Sequence, residues 1–223
     1  MILNMKKVLF AVFAHPDDEA FGPSGFLIQQ AKQGVEIHLI CVTDGAAGEG
    51  SPSQRSEELQ NASKLIGASS LSQLNFPDGG LSNNNLQDVT DAISKVIEQK
   101  IAEKTCQIDF LTFDLNGISG HLDHIAVSLA TTYIYTHFDF KLSEKGTLRY
   151  FCLCSEQKSE DLDYFVYSPC GHPENAIDET VDVGDIIDIK KQVIAAHPSQ
   201  ASDVKLALER GDKLNTEHFM IYR

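Results

Sequence analysis

The sequence predicts an α/β fold: a three-layer sandwich with a mostly parallel sheet between two layers of helices. Strand-length apolar runs alternate with helical stretches from residue 8 to residue 154. The runs are close to continuously apolar, as strands buried on both faces are. Two of them pass directly into clusters of His and Asp, and open α/β sheets bind ligands beyond the carboxyl ends of their strands.

Residues 8–13, Val-Leu-Phe-Ala-Val-Phe, form the first expected strand. Gly22-Pro23-Ser24-Gly25 leads into a helix over 26–33, which Gly34 stops. Residues 35–42 are the second strand. The glycine-rich 43–50 stretch follows and reads as a flexible wall of a site. It matches neither a phosphate-cradling loop nor a dinucleotide fingerprint. Residues 53–66 are a helix with Leu59, Ala62, Leu65 and Ile66 as its apolar stripe and Gly67 as its stop. Residues 71–76 are the third strand, closed by the turn Pro77-Asp78-Gly79-Gly80. A helix over 86–103 carries Val89, Ile93, Val96, Ile97 and Ile101 on one side. Residues 108–113 form the fourth strand, 125–138 a helix and 147–154 the fifth strand. This alternation calls for a parallel sheet covered on both faces. The 155–175 stretch has no clear period and is expected to be a flexible flap. A short strand over 180–183, a helix over 186–196, a short helix over 204–209 and a last strand over 218–222 complete the chain. With no internal repeat and no long linker, residues 1–223 are expected to form a single domain.

Hydrophobic residues make up 42% of the 223 and charged residues 22%, a globular composition. The 18 basic and 32 acidic residues leave a net charge of −14, which argues against nucleic acid or an anionic membrane as a bulk partner. No apolar run approaches the ~20 residues of a membrane span, and the N-terminus lacks the order of a signal peptide. Five cysteines without framework spacing suit a reducing compartment, so a cytoplasmic location is expected. Cys152 and Cys154 share a face of the fifth expected strand and read as buried apolar thiols. A homo-oligomer is left open.

The chemistry concentrates in Ala14-His15-Pro16-Asp17-Asp18-Glu19, directly after the first strand. Burying three carboxylates and a histidine without a partner costs several kcal/mol per ion by order of magnitude. A divalent cation resolves this: His15 and Asp18 offer one nitrogen and one oxygen ligand, and Asp17 is left as a carboxylate beside the ion. The acids and Pro16 also suit a helix N-terminus. A second cluster, His121-Leu122-Asp123-His124, follows the fourth strand through the turn-rich 116–120. His121 and His124, three apart, share one face of a helical turn. The two clusters together offer three ligands plus spare acid–base groups, the composition of a catalytic zinc site with an open position.

These two motifs resemble those of the LmbE-like (PIG-L) deacetylases, zinc enzymes that remove acetyl groups from N-acetylglucosamine-containing compounds. Arg55-Ser56-Glu57-Glu58, Phe76-Pro77-Asp78-Gly79 and His197-Pro198-Ser199-Gln200 are similar to further segments of that family, in the same order. The resemblance implies a Rossmann-like sheet, and zinc on His15, Asp18 and His124. Asp17 is then the general base, His121 polarises or protonates, and Asp123 supports from behind. Arg55 and Asp78 contact the sugar, and His197 either lines the pocket or closes a helix end. Iron(II) or another divalent ion also suits such a ligand set. Leu122 stands where the family commonly has proline, which is expected to loosen the helix start. Asp44 is more acidic than expected and argues against a strongly anionic substrate. The implied partner is a small N-acetylated amino sugar, such as a thiol-precursor glycoside. The alternatives are an amidase acting on a non-sugar N-acyl compound and a non-catalytic metal- or ligand-binding module. Asp17 and His121, neither needed merely to hold metal, argue against the module. His38, His137, His172 and His218 receive no role.

Overall fold

A computed structural model describes residues 5–102, 104–157 and 167–223. Seven strands form one sheet in the order β3-β2-β1-β4-β5-β7-β6. They are β1 (Lys6–Phe13), β2 (Glu36–Thr43), β3 (Ser70–Phe76), β4 (Cys106–Phe113), β5 (Glu144–Cys152), β6 (Glu179–Asp182) and β7 (Thr216–Ile221). The first five pair in parallel, while β7 runs antiparallel to both β5 and β6. The helices are α1 (Asp18–Phe21), α2 (Ser24–Lys32), α3 (Pro52–Ile66), α4 (Leu86–Ile101), α5 (Gly117–Gly120), α6 (Leu122–His137), α7 (Ile187–Ala195) and α8 (Ala201–Leu208). One layer is made by α2 and α3 packing on α7, with α1 and α8 joined to it; α4 packs on α6 in the other. Between them lies a core of fully buried side chains such as Phe10, Phe110, Ile40 and Ile93.

The expected elements are present, with shifted ends. β5 stops at Cys152, and Cys154 forms an isolated bridge with His172 instead of continuing the strand. All five cysteines are unpaired. The single turns α1 and α5 have no counterpart in the sequence reading, because one turn is too short to show a period. Residues 158–166 of the expected flap, and Glu103, lie outside the described residues. Among those described, no helix is long and apolar enough to cross a membrane.

The strand order positions the site. From β1 the chain moves outward through β2 and β3, then returns to lay β4 on the other side of β1. The loops after β1 and β4 therefore face each other across a crevice, the usual ligand position in such a sheet. Local chemistry sharpens the frame. The Ser51 side chain accepts the Gln54 N–H at the start of α3, and Gly67 ends that helix with φ 84°, a left-handed geometry that glycine adopts without steric cost.

A buried ion pair ties the antiparallel end of the sheet to the helices. Glu217, on β7, accepts the Gly25 and Phe26 N–H groups at the start of α2, at 2.8 and 2.7 Å. Lys190 of α7 donates to the same carboxylate at 2.6 Å. Both side chains are almost wholly enclosed, at 3% and 1% exposure. Breaking such a pair by removing one partner costs about 3–5 kcal/mol. Lys190→Met should therefore lower unfolding free energy by about that amount in urea titration; an unchanged midpoint would show that Glu217 is held by the helix N-terminus alone.

Candidate active site

The first motif leaves β1 at Phe13 and turns sharply. Asp17 precedes α1 with φ 131° and ψ −22°, a conformation that costs a non-glycine residue on the order of 1–3 kcal/mol. Its surroundings hold it there. Its carbonyl accepts the Ala20 and Phe21 N–H groups at 2.9 and 3.0 Å. Its own N–H donates to the Glu19 carboxylate at 3.1 Å. Arg55 donates to the Pro16 carbonyl and to Asp17 Oδ2, both at 2.8 Å. Ile118, in α5 on the facing loop, is also left-handed, with φ 65°. Two of the strained residues thus sit at the crevice.

The second motif enters through α6. His121 is its N-cap, and His121 Nδ1 accepts the Asp123 N–H at 3.1 Å. The helix starts at Leu122 in spite of the missing proline, because the imidazole supplies the cap. The ring of His124 stacks on Phe113, the last residue of β4, with centroids 4.1 Å apart.

His15, Asp18 and His124 converge. His15 Nδ1 lies 3.1 Å from His124 Nε2 and 3.4 Å from Asp18 Oδ2. His124 Nε2 lies 3.2 Å from Asp18 Oδ1. A tetrahedral ion with bonds of about 2.0–2.2 Å requires ligand atoms roughly 3.3–3.6 Å apart; these separations lie at or just below that range, with one Asp18 oxygen beside each histidine. The far nitrogens agree with this. His15 Nε2 lies 3.0 Å from Asp78 Oδ1 and 3.2 Å from Asp123 Oδ2, and His124 Nδ1 is 3.0 Å from the Gly117 carbonyl. Acceptors on the far nitrogens hold protons there, so that with an ion bound His15 Nδ1 and His124 Nε2 would present their lone pairs, the arrangement of a metal-ligating histidine. Among the described residues, the groups of three whose donor atoms all lie within 4.8 Å of one another are His15 with His121 and His124, and His15 with Asp78 and Asp123. The second of these uses the far side of His15 and so serves as its support. Asp123 is itself fixed by the Gly79 and Leu81 N–H groups at 2.8 and 3.0 Å.

The charges respond to one another. Burial disfavours protonated His15, but bonds to Asp123, Asp18 and Asp78 outweigh it and raise its pKa well above the ordinary value. Burial works against ionised Asp18 too, yet His124 and His15 hold it well below the carboxylate range. Asp17 goes the other way: burial and the neighbouring Asp18 charge push it to about 8, against the pull of Arg55 and His197. A cation in the triangle would draw it back down. His121 is lowered by burial and by the charges of His15 and His124.

A cavity of about 580 Å³ opens over these groups, in the range of small-ligand sites. His15, Asp17, Asp18, His121 and His124 line it, with Arg55 and Asp78 on one wall. Asp78 accepts the Ala47 N–H at 3.0 Å. The guanidinium of Arg55 also donates to the Gly45 carbonyl at 2.5 Å. The glycine-rich loop packs over that group: a Cβ on Gly48 would strike the Arg55 guanidinium. His197 is fully buried and bonds Glu19 at 2.8 Å, below the cavity rather than in its wall. Glu19 thereby links His197 to the backbone of Asp17. Sequence reasoning quoted Glu19 and Gln200 without giving either a task; Gln200 reaches the cavity wall, as do Leu206 and Arg210, which no motif announces.

Comparison with known proteins bears on the family and the fold. A family model described as PIG-L, GlcNAc-PI de-N-acetylase, matches residues 10–135. The "Uncharacterized deacetylase YaiS" of Escherichia coli is 30% identical over 57% of this chain and 68% of its own length. A probable N-acetyl-alpha-D-glucosaminyl L-malate deacetylase 2 of Bacillus subtilis is 22% identical over 95% of this chain and 91% of its own. Among solved structures, the N,N'-diacetylchitobiose deacetylase of Pyrococcus horikoshii superposes with a TM-score of 0.70 at 18% identity, covering 97% of this chain and 84% of that one. At that identity the likeness shows the fold.

Outer support of this kind is worth about 10–100-fold in metal affinity. Asp123→Asn should weaken calorimetric binding of an added divalent cation by that factor. Unchanged affinity would mean that His15 needs no support from Asp123.

Proposed function

The chain belongs to the PIG-L family, and on that premise we propose that it is a zinc-dependent N-deacetylase acting on a small N-acetylglucosamine-containing compound. The observation that carries the proposal is the His15–Asp18–His124 triangle with the strained, arginine-bound Asp17 beside it on the cavity floor. His15, Asp18 and His124 would hold the ion; iron(II) or another divalent metal suits the same donors. Bound there, it would polarise the acetyl carbonyl and bring the pKa of a water toward neutrality.

The chain's own residues do the remaining work. Asp17 takes a proton from the attacking water, and Arg55 fixes the carboxylate that receives it. His121 lines the same floor and donates to the oxygen on which negative charge develops. The C–N bond breaks as a proton passes to the departing amine, from Asp17 or His121. Products are acetate and the free amino sugar. Asp123 holds His15 in register, while Asp78 and Arg55 meet the sugar from the cavity wall. His197 acts from below, through Glu19. Five unpaired thiols favour a reducing compartment, the cytoplasm.

The direct test is amine release from N-acetylglucosamine and its simple glycosides by metal-analysed protein. Release should stop on chelation and return with zinc. Release that chelation leaves untouched would contradict a metal enzyme, and none from zinc-loaded protein would point to a non-sugar N-acyl substrate. Asp17→Asn should retain its metal and lose about 10²–10⁴-fold in kcat, the scale of general acid–base catalysis; near-full activity would remove Asp17 from the reaction. His124→Ala should fail to hold metal through dialysis, and a normal metal content in it would refute the ligand assignment.

A further inference from the structure

One cation of the cavity wall has no task in the site above. Arg210 follows α8 and lines the cavity. Among the described residues its side chain forms no ion pair and no hydrogen bond. Asp203 lines the same cavity, yet no ion pair joins the two. Half-burial alone lowers the Arg210 pKa, with no opposing charge to raise it. The other cation there, Arg55, already holds Asp17, at 2.8 Å, and its terminal nitrogens also donate to the Pro16 and Gly45 carbonyls. A chain with a net charge of −14 has carboxylates to spare for an arginine that needed one for stability. Arginine is charged at any working pH, and its planar fork matches carboxylate and phosphate oxygens in pairs.

We propose that Arg210 is an anion subsite, and that the group attached to the sugar carries a carboxylate or a phosphate that Arg210 binds while the N-acetyl group lies at the His15–Asp18–His124 floor. The proposal rests on the deacetylase reading and narrows its substrate class. The cavity has room beyond one sugar ring, and Phe21, Phe151, Leu153 and Leu206 give it apolar surface that carries no competing charge. Asp44, which in the sequence argues against an anionic substrate, is taken up by backbone donors: its Oδ1 accepts the Ala46 N–H of its own loop and the Asp78 N–H of the turn after β3, at 3.0 and 3.3 Å. It is not among the cavity-lining residues. A cation placed after α8 also suits the end of a helix, but the Arg210 side chain bonds none of the α8 carbonyls.

The test compares three N-acetylglucosaminides that differ only in the aglycone: a neutral alcohol, a hydroxy acid and a glycerol phosphate. Zinc-loaded full-length protein should favour at least one anionic glycoside over the neutral one by about 10–100-fold in kcat/KM, the worth of a charge-assisted hydrogen bond. The preference should appear mainly in KM. In Arg210→Gln, with its zinc content checked, the anionic-to-neutral ratio should collapse toward one. The larger of the two wild-type ratios identifies the anion as carboxylate or phosphate. A wild-type ratio near one, or a ratio that survives Arg210→Gln, would overturn the subsite. If no glycoside releases amine, the deacetylase reading fails on its own account. Calorimetric binding of the two anionic glycosides to wild type and Arg210→Gln then decides the subsite separately, and equal affinities would overturn it.

Discussion

Mutual compensation of buried charge at the ends of β1 and β4 is the constraint from which the rest of this site follows. Asp18, His15 and His124 hold their donor atoms 3.1–3.4 Å apart, with Asp123 and Asp78 immediately behind His15. Such crowding in a low-dielectric crevice is costly unless each charge meets its opposite. The far nitrogens of both histidines are matched to a carboxylate or a carbonyl, which points the near ones at a common centre. The sheet order makes this meeting unavoidable, because β4 returns to lie beside β1.

A second layer acts on Asp17. Its unfavourable backbone is fixed from three directions: Arg55 on its side chain, Glu19 on its N–H, and the first turn of α1 on its carbonyl. Arg55 is in turn enclosed by the glycine-rich loop, and Glu19 is anchored by His197. The strain therefore reaches across segments far apart in the chain, at 17–19, 45–48, 55 and 197. Glu19 and His197 among them would look dispensable if judged only by contact with a ligand. Preorganisation of this kind is what a carboxylate that must hold and release a proton at one position requires.

Much of the parallel half was legible in the sequence because its strands are buried on both faces and read as unbroken apolar runs; β1 and β2 are enclosed almost end to end. The two metal-type motifs stood out because a cluster of His and Asp recurs directly after two such runs, which a helix N-terminus alone does not explain. Less visible were features without period or composition. β6 and β7 are short and half-polar, and their antiparallel pairing depends on where α7 and α8 return the chain. Single-turn α1 and α5 repeat nothing. His197 sits in a polar motif, yet is fully buried, and burial of a histidine depends on a partner, Glu19, that lies far away in sequence. Arg210 belongs to a helix end where a basic residue is ordinary, and only its lack of an ion pair among the described residues sets it apart.

The central claim is that one divalent ion sits among His15, Asp18 and His124. Diffraction data collected at the zinc absorption edge from zinc-loaded crystals test it most directly. The account predicts a single anomalous peak about 2.0–2.2 Å from His15 Nδ1, His124 Nε2 and an Asp18 oxygen, with Asp17 and His121 outside bonding distance. A peak shared by His15, His121 and His124 without Asp18, or no peak in the crevice at all, would contradict it.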